Sequence, residues 1–151
     1  PTYDLKPEMS CQEVAIEVIN AIKNDDYKLI VVNFANGDMV GHTAVKSAII
    51  EAMNELDKVL GEVVCEAIGA NIATLITADH GNVDEINNLK TGKPNTQHSL
   101  NPVPCVVIDN KRNWEIIKND GGLSNITPTV LTLMGIDKPK EMTSDSLIKE
   151  S

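Results

Sequence analysis

The sequence predicts an α/β protein, a three-layer sandwich in which helices cover both faces of a mostly parallel sheet. Three continuous apolar runs, each of strand length, alternate with segments of helical periodicity. Apolar runs without polar alternation are typical of strands that are covered on both faces, as strands of parallel sheets are. Helices that alternate with such strands pack on the two faces of one sheet.

The first half of the chain begins with a predicted helix after Ser10. Ser10 and Glu13 have the spacing of a reciprocal capping box, and the apolar residues behind them recur at helical spacing until about Asn24. The polar residues 24–26 predict a turn. The run KLIVVNF at residues 28–34 then predicts the first strand.

The longest helix is predicted over residues 44–68, with Gly69 as its end. Strands are predicted at residues 72–77 and 103–108. The intervening residues 84–102, rich in Asn, Thr, Lys, Gly and Pro, predict a functional loop or a short hairpin. A last short helix is predicted to start at Thr127 and Pro128 and to end at Gly135.

Composition excludes several classes of function. The chain has 151 residues, the size of one domain. A net charge of −9 and a single arginine, Arg112, exclude a nucleic-acid partner, which needs clustered cations. No apolar run approaches the ~18 residues of a membrane span, and no signal peptide is recognised, so no membrane partner is expected. Three cysteines without CxxC spacing indicate free thiols and a cytoplasmic protein.

All three histidines of the chain lie in three short segments near predicted strand ends. These are NFANGDMVGHT (33–43), TLITADHGN (74–82) and NTQHSLNPVP (95–104). In α/β sheets, ligands bind beyond the carboxyl ends of the strands. The candidate metal ligands in these segments are Asp38, His42, Asp79, His80 and His98. Carboxylate and neutral imidazole suit Mn²⁺ or Zn²⁺, and five such ligands suit two metals about 4 Å apart, as in phosphoryl-transfer sites.

Each motif also has a simpler interpretation. The Asp38–His42 pair fits a helix surface or a cap, the Asp79–His80 pair fits turn chemistry, and His98 fits a solvated loop. The use of every histidine in one constellation favours the metal interpretation. Four asparagines near the motifs are either hydrogen-bond donors to the ligands or turn formers; they are Asn33, Asn36, Asn82 and Asn101.

Phosphoryl transfer also needs a nucleophile and cationic groups that hold the phosphate. Ser99, Thr43 and Thr77 lie near the motifs, but none has a recognisable nucleophile setting. One arginine cannot hold both a phosphate and a carboxylate. The residues therefore predict half of an active site.

The chain resembles the C-terminal part of the cofactor-independent (2,3-bisphosphoglycerate-independent) phosphoglycerate mutase family, within the alkaline phosphatase superfamily. The resemblance is carried by TYDLKPEMS (2–10), NFANGDMVGHT, TADHGN (77–82), TQHSLNPVP (96–104) and the tail TPTVLTLMG…EMTSDSLI. Small departures are Gly37, where the family usually has Pro, and Ala44, where it usually has Gly. The resemblance implies an alkaline-phosphatase-like sandwich that is incomplete. Residues 1–151 are then the C-terminal portion of the metal-binding phosphatase domain, without its N-terminal part and without the inserted transferase domain.

The resemblance implies a glycolytic isomerase that interconverts 3-phosphoglycerate and 2-phosphoglycerate through a phosphoserine at a two-metal site. It implies two Mn²⁺, with Co²⁺ or Zn²⁺ as alternatives, and no need for bisphosphoglycerate. Asp38, His42 and His98 match ligands of the first metal, and Asp79 and His80 match two ligands of the second. The nucleophilic serine and the substrate-binding arginines and lysine belong to upstream parts of the family, so no catalytic residue is expected in this chain, and the chain alone is expected to be inactive.

The implied partners are the remaining N-terminal part of the same enzyme and the small phosphorylated substrate, phosphoglycerate. Sheet edges without neighbours are also expected to make the chain self-associate. Two alternatives remain open at this stage. The chain could belong to another phosphotransferase of the superfamily, such as phosphopentomutase or a phosphatase, or it could be a stand-alone metal-binding module without catalysis.

Overall fold

The computed structural model describes residues 2–88 and 91–151, and it confirms the α/β class. Its helices are α1 (Cys11–Asn24), α2 (Asn36–Gly41), α3 (Lys46–Gly69) and α4 (Ile126–Met134). Its strands are β1 (Thr74–Thr77), β2 (Cys105–Ile108), β3 (Trp114–Ile116) and β4 (Ile148–Glu150), which pair as β1 with β2 and β3 with β4. Short 3₁₀ turns lie at Tyr3–Leu5, Val83–Glu85 and Leu123–Asn125.

The two long helices pack against each other through aliphatic side chains. Val18 and Ile22 of α1 and Val59 and Val63 of α3 are buried in one cluster. Burying a side chain of this size stabilises the fold by about 1.5–3 kcal/mol relative to leaving it exposed. Because aromatic residues are scarce, this contact depends on the interdigitation of Val, Ile and Ala, as the composition predicts.

The helix boundaries differ from the predicted ones for local conformational reasons. The helix predicted from residue 44 begins at Lys46, because Ala44 has a φ of 52°, which an α-helix does not contain. At its other end the helix ends at Gly69, as predicted, and Asn71, with a φ of 57°, follows in the left-handed region. Gly135, with a φ of 68°, ends α4 as predicted.

The two predicted caps differ from the structure in part. Ser10 is the N-cap of α1, as predicted, and its carbonyl accepts the N–H of Val14 at 3.0 Å, but its side chain makes no capping bond. Its ψ of 25° departs from the extended backbone that turns a capping hydroxyl toward the helix. The last helix begins at Ile126 rather than at Thr127, with Asn125 as the residue before it and Pro128 within its first turn.

Residues 28–34 do not form the predicted strand with any segment in the described part of the chain. In this segment Ile30 and Phe34 are half-buried, and the other side chains are exposed. Ile30 and Phe34 pack against the cluster between α1 and α3, whereas Leu29 and Val31 are 52% and 84% exposed. A β-strand forms only where its backbone hydrogen-bonds to a neighbouring strand. No described segment pairs with residues 28–34 in this way. The apolar run therefore retains an open edge.

The two ladders of the described residues are antiparallel, so they do not supply the mostly parallel sheet of the predicted sandwich. In the first ladder, Thr77 at the end of β1 lies opposite Cys105 at the start of β2. The described residues between them, 78–88 and 91–104, contain no crossover helix, which parallel pairing would require. This return brings the loop that carries His80 and His98 to one end of the ladder. A separate core of Leu133, Leu147 and Ile148 lies between α4 and the strands.

Within residues 2–88 and 91–151, no helix combines the length and apolar character needed to cross a membrane.

Candidate metal centre

The first predicted ligand pair lies on and just after α2. Asp38 is in the first turn of this six-residue helix, and His42 is the residue that follows its last turn. The spacing of four residues places both side chains on one face, as predicted, with His42 Nε2 3.1 Å from Asp38 Oδ1. Behind them Val40, fully buried, fixes the helix against Ala48 and Ile49 of α3. The pair is therefore presented by a short helix with a rigid support.

The other ligands come from the connection between β1 and β2. Asp79 and His80 follow the end of β1, and His98 lies on the returning part of the same connection. An isolated bridge pairs Gly81 with Ser99, which brings the two arms of this loop together beside α2. The predicted functional loop or short hairpin at residues 84–102 lies partly outside the described residues, since Leu89 and Lys90 are in that range. The described part forms a short hairpin-like return with a second bridge between Asn87 and Pro94.

The predicted ligands converge on the Asp38 carboxylate. Asp38 Oδ1 lies 3.1 Å from His98 Nε2 and 3.8 Å from His80 Nε2, in addition to its contact with His42. The Nε2 atoms of His42 and His98 are 3.3 Å apart. The rings of His80 and His98 stack with their centroids 3.6 Å apart. Asp79 lies at the margin, with its side chain 76% exposed and its Oδ1 3.6 Å from His80 Nε2.

All five residues thus lie in one cluster, and their arrangement is more compact than two separate ligand groups. Ligand atoms of Asp38, His80 and His98 lie within 4.8 Å of one another. The resemblance assigns His80 to the second metal and Asp38 and His98 to the first. In the structure, however, His80 contacts Asp38 and His98. The division of the five residues between two metals stays a prediction.

A backbone contact determines which ring nitrogen of His42 carries the proton. Its Nδ1 lies 2.7 Å from the carbonyl oxygen of Thr96, and a carbonyl can only accept a hydrogen bond. Nδ1 therefore carries the proton, and in the neutral ring the lone pair is on Nε2, the atom that faces Asp38. A metal-binding histidine is commonly oriented in this way by a bond from its second nitrogen. Sequence reasoning missed Thr96 because a backbone carbonyl has no residue-type signature.

The Asp38 carboxylate is held by Asn82. Asn82 Nδ2 donates to Asp38 Oδ1 at 2.9 Å, and Gly41 on α2 lets this amide approach closely, since a Cβ there would overlap Asn82 Oδ1. Burial acts to raise the pKa of Asp38. The Asn82 hydrogen bond and the positive charge of the protonated forms of the three histidines outweigh it, so the pKa lies below its ordinary value. Asp38 is therefore an ionised carboxylate at neutral pH.

The other predicted asparagines have different surroundings. Asn36 is buried, and its Nδ2 donates to the carbonyl oxygens of Pro7 and Glu8, both at 2.9 Å, so it ties the N-terminal segment to α2. Asn33 is exposed in the segment of residues 28–34. Asn101 donates to Asp84 Oδ2 rather than to a ligand. Of the four asparagines, Asn82 is the one with a contact to the predicted ligands.

The donor set fits a divalent metal. Metal–ligand distances of about 2.0–2.2 Å place neighbouring donor atoms about 3.0–3.6 Å apart. The distances of 3.1–3.3 Å among Asp38, His42 and His98 fall within this range. One carboxylate with neutral imidazoles suits Mn²⁺, Co²⁺ or Zn²⁺. Side chains that are 35–48% exposed leave the cluster open to a ligand from solution.

Comparison with known proteins agrees with this cluster. The family model described as Metalloenzyme superfamily matches residues 1–138. A 2,3-bisphosphoglycerate-independent phosphoglycerate mutase of Symbiobacterium thermophilum is 48% identical over 147 residues, which is 97% of this chain and 28% of that protein. The protein of the same name from Clostridium kluyveri is 45% identical over 98% of this chain and 29% of its own length. The chain thus spans less than a third of these relatives.

A solved structure has the same fold. The crystal structure of Leishmania mexicana phosphoglycerate mutase at low cobalt concentration matches with a TM-score of 0.89 and 31% sequence identity, over 100% of this chain and 30% of that one. The match covers the helices, the ladders and the loop with the histidine cluster. Together with the family match over residues 1–138, this shows that the chain belongs to the Metalloenzyme superfamily.

Proposed function

We propose that the chain supplies the metal-binding half of a phosphoglycerate mutase active site, at which 3-phosphoglycerate and 2-phosphoglycerate are interconverted through a phosphoserine. The observation that carries the proposal is the convergence of Asp38, His42 and His98, whose ligand atoms lie 3.1–3.3 Å apart although they are up to 60 positions apart in sequence. The names of the relatives support the substrate and the independence from bisphosphoglycerate. A glycolytic role would place the enzyme in the cytoplasm.

In this proposal Asp38, His42 and His98 hold a first metal, and Asp79 and His80 contribute to a second. Mn²⁺ is the preferred ion, with Co²⁺ and Zn²⁺ as alternatives that the same donors accept. Bound metals would supply charge neutralisation of the phosphoryl group and a lowered pKa for the attacking hydroxyl. The chain's own residues orient the ligands: Thr96 fixes the His42 ring, and Asn82 fixes the Asp38 carboxylate.

The hydroxyl groups beside the cluster are engaged in ways that disfavour them as nucleophiles. Ser99 is 7% exposed, and its Oγ donates to Asp84 at 2.8 Å. Thr43 Oγ1 donates to the Val40 carbonyl at 2.6 Å, which is a contact within the turn that follows α2. A nucleophile needs a free hydroxyl beside a base or a metal. These contacts support a nucleophilic serine in another part of the enzyme.

The arginine of the chain is also committed elsewhere. Arg112 Nε donates to Asp109 Oδ2 at 3.2 Å, and its guanidinium lies 4.5 Å from the centroid of the Trp114 ring. These contacts lie near the β3–β4 ladder. They engage both the edge of the guanidinium, through Asp109, and its face, through Trp114. The groups that bind the substrate phosphate and carboxylate are therefore proposed to come from outside residues 1–151. The isolated chain is expected to be inactive.

The open edge of residues 28–34 is the proposed meeting place with the remaining, N-terminal part of the enzyme. Leu29 and Val31 expose apolar side chains there, and the backbone of the segment lies outside the ladders of the described residues. Strand-forming backbone without a pairing partner pairs readily with another strand. Without that part, the same edge is expected to join copies of the chain. Sedimentation should show concentration-dependent association, and a monomer at every concentration would contradict it.

A chimeric enzyme tests the proposed function. The 147 matching residues of the Symbiobacterium thermophilum relative are replaced by this chain, and conversion of 3-phosphoglycerate is measured with Mn²⁺. We expect a metal-dependent mutase, because the chain would supply its ligands to a site whose nucleophile and cations come from the relative. The chimera carrying His98→Ala should lose at least about 100-fold in activity.

Two controls make the result interpretable. Asp57→Asn, a substitution of an exposed residue on α3, should leave the activity of the chimera unchanged. The isolated chain with Mn²⁺ should show no turnover. A chimera that folds and binds Mn²⁺ but does not interconvert the phosphoglycerates would contradict the proposed function, as would turnover by the isolated chain.

A further inference from the structure

We infer that Asp84 is a positioning residue that holds His98 against His80 and Asp38. The inference rests on the metal centre of the proposed function and concerns a residue that does not itself contact the ligands. Asp84 lies in the 3₁₀ turn Val83–Glu85, just after His80. Its Oδ2 accepts a hydrogen bond from Ser99 Oγ at 2.8 Å and another from Asn101 Nδ2 at 2.5 Å. Both donors follow His98 within three residues.

We call Asp84, Ser99, Asn101 and Gly81 the loop clasp. Besides the two bonds to Asp84, the N–H of Ser99 donates to the Gly81 carbonyl at 2.8 Å, and the N–H of Asn101 donates to Ser99 Oγ at 3.4 Å. A Cβ at Gly81 would overlap Ser99 Oγ and lie 2.8 Å from Asp84 Oδ1. The two arms of the loop therefore approach as closely as a glycine allows, and the side chains at this contact are polar.

Among the described residues, few other contacts hold His98 in place. Its side chain is 48% exposed, and the side chain of Leu100 two residues later is completely exposed. The ring contacts the imidazoles of His42 and His80 and the Asp38 carboxylate, which are themselves candidate ligands. Since apolar packing does not fix this arm, the hydrogen bonds of the loop clasp carry its position relative to His80.

The charge of Asp84 suits this role. The Asn101 hydrogen bond, assisted by that of Ser99 and opposed by partial burial, keeps the pKa of Asp84 below its ordinary value. The ionised carboxylate has only acceptors, and both of its partners present a donor. Hydrogen bonds to an ionised acceptor are roughly twice as strong as those between neutral groups. One carboxylate can therefore hold two points of the arm that carries His98.

The test needs no metal. Histidine ring signals and backbone amide exchange are measured by NMR at pH 8 in the 151-residue chain, in Asp84→Ala, in Asp84→Asn and in the charge-matched control Asp57→Asn. In Asp84→Ala we expect the His80 and His98 ring signals to move toward those of unstacked imidazoles. The Ser99 amide should exchange at least about tenfold faster, while amides in α1 and α3 keep their protection.

The asparagine variant gives a graded result. Its oxygen can still accept from Ser99 and Asn101, but without the charge, so Asp84→Asn should show the same changes at smaller size. Asp57→Asn should reproduce the spectrum of the unchanged chain. If Asp84→Ala does not fold, the milder Asp84→Asn and Asn101→Ala variants decide the question by the same signals.

A Mn²⁺ titration separates this inference from the proposed function. Asp84→Ala should bind Mn²⁺ about tenfold more weakly than the unchanged chain, and Asp84→Asn should lie between them. If the unchanged chain binds no Mn²⁺, the proposed metal centre fails, but the ring signals still report whether Asp84 positions His98. Unchanged His98 signals and unchanged Ser99 exchange in a folded Asp84→Ala variant would overturn the inference.

Discussion

Two aspartates at opposite ends of the molecule show how similar contacts serve different purposes. Asp109, between β2 and β3, accepts hydrogen bonds from the Lys111 N–H at 2.8 Å, from Trp114 Nε1 at 2.9 Å and from Arg112 Nε at 3.2 Å. Asp38 is surrounded instead by three imidazole nitrogens at 3.1–3.8 Å and by one amide. Asp109 has a side chain 3% exposed, and that of Asp38 is 35% exposed.

The difference lies in the partners. Each donor around Asp109 keeps its proton at any ordinary pH, so the network is complete and closed to further ligands. The Arg112 guanidinium also donates to the Leu133 carbonyl, which ties the network to the end of α4. The imidazoles around Asp38 can lose their Nε2 protons and then offer lone pairs. Partners that are always donors make a structural site, and partners that can become acceptors make a site for a cation.

The largest expected effect separates the two aspartates by metal binding. Asp38→Ala removes the carboxylate on which the imidazoles converge, and it should weaken Co²⁺ or Mn²⁺ binding by more than about 100-fold. Asp109→Ala should bind the metal like the unchanged chain. Co²⁺ absorption titrations measure both. Equal losses in the two variants would show that the Asp38 effect comes from general destabilisation.

The second effect concerns stability, and here Asp109→Ala should lose more than Asp38→Ala. Asp109→Ala should lower the free energy of unfolding by about 2–3 kcal/mol, because it leaves the Arg112 and Trp114 donors without their acceptor at a nearly buried position. Asp38→Ala, at a half-exposed position in the same chain, should cost much less. Urea unfolding followed by circular dichroism gives both values. A larger loss for Asp38→Ala would reverse the comparison.

The third prediction is a difference in pH dependence. Burial tends to raise the pKa of Asp109, but the Lys111 N–H, Trp114 and Arg112 together hold it below its ordinary value of 3.8. A lowered folded-state pKa contributes stability that is present above the unfolded value and is lost as pH falls through the folded one. The stability gap between the unchanged chain and Asp109→Asn should therefore narrow below pH 3.8.

Metal binding should respond to acid earlier than stability does. Imidazole must be neutral to bind a metal, so Mn²⁺ affinity should already fall on mild acidification, while the Asp109 network is still intact. Parallel titrations of affinity and unfolding between pH 8 and pH 3 check this order. Coincident transitions would mean that the two sites do not differ as their partners indicate.

The smallest effect concerns the turn between α2 and α3, beside the metal cluster. Ala44 has a φ of 52°, a conformation that costs an alanine about 1–2 kcal/mol and a glycine almost nothing. Ala44→Gly should stabilise the fold by about 0.5–1 kcal/mol after the larger chain entropy of glycine in the unfolded state is subtracted. Ala70→Gly, at a φ of −83°, is the matched control and should give no gain. Thermal unfolding of the two variants checks this.

Much of the molecule could be predicted from the sequence because local chemistry dominates there. Apolar periodicity located α1 and α3, and the distribution of histidines located the cluster around Asp38. The prediction of a strand at residues 28–34 was wrong, because a strand needs a pairing partner, and the presence of that partner is not a property of the segment's own residues. Periodicity states that a segment suits a sheet, but it does not supply the neighbouring strand.

The contacts that position the ligands were also hidden from sequence reasoning. Asp84 contacts Ser99 and Asn101 across 15 and 17 positions, and no short motif encodes such a contact. Gly81 has no positive φ, and a glycine is needed there because Ser99 and Asp84 approach the place that a Cβ would occupy. Among polar residues near a cluster, the tertiary structure decides which ones support it.

The most direct measurement is a calorimetric titration of the 151-residue chain with Mn²⁺, beside His42→Ala and His98→Ala, with Asp57→Asn, a substitution of an exposed residue on α3, as the control. A metal centre formed by Asp38, His42 and His98 predicts binding by the unchanged chain and by the control. It also predicts a loss of more than about 100-fold in each histidine variant. Binding that survives both histidine substitutions, or no binding by the unchanged chain, would contradict a metal centre formed by these residues.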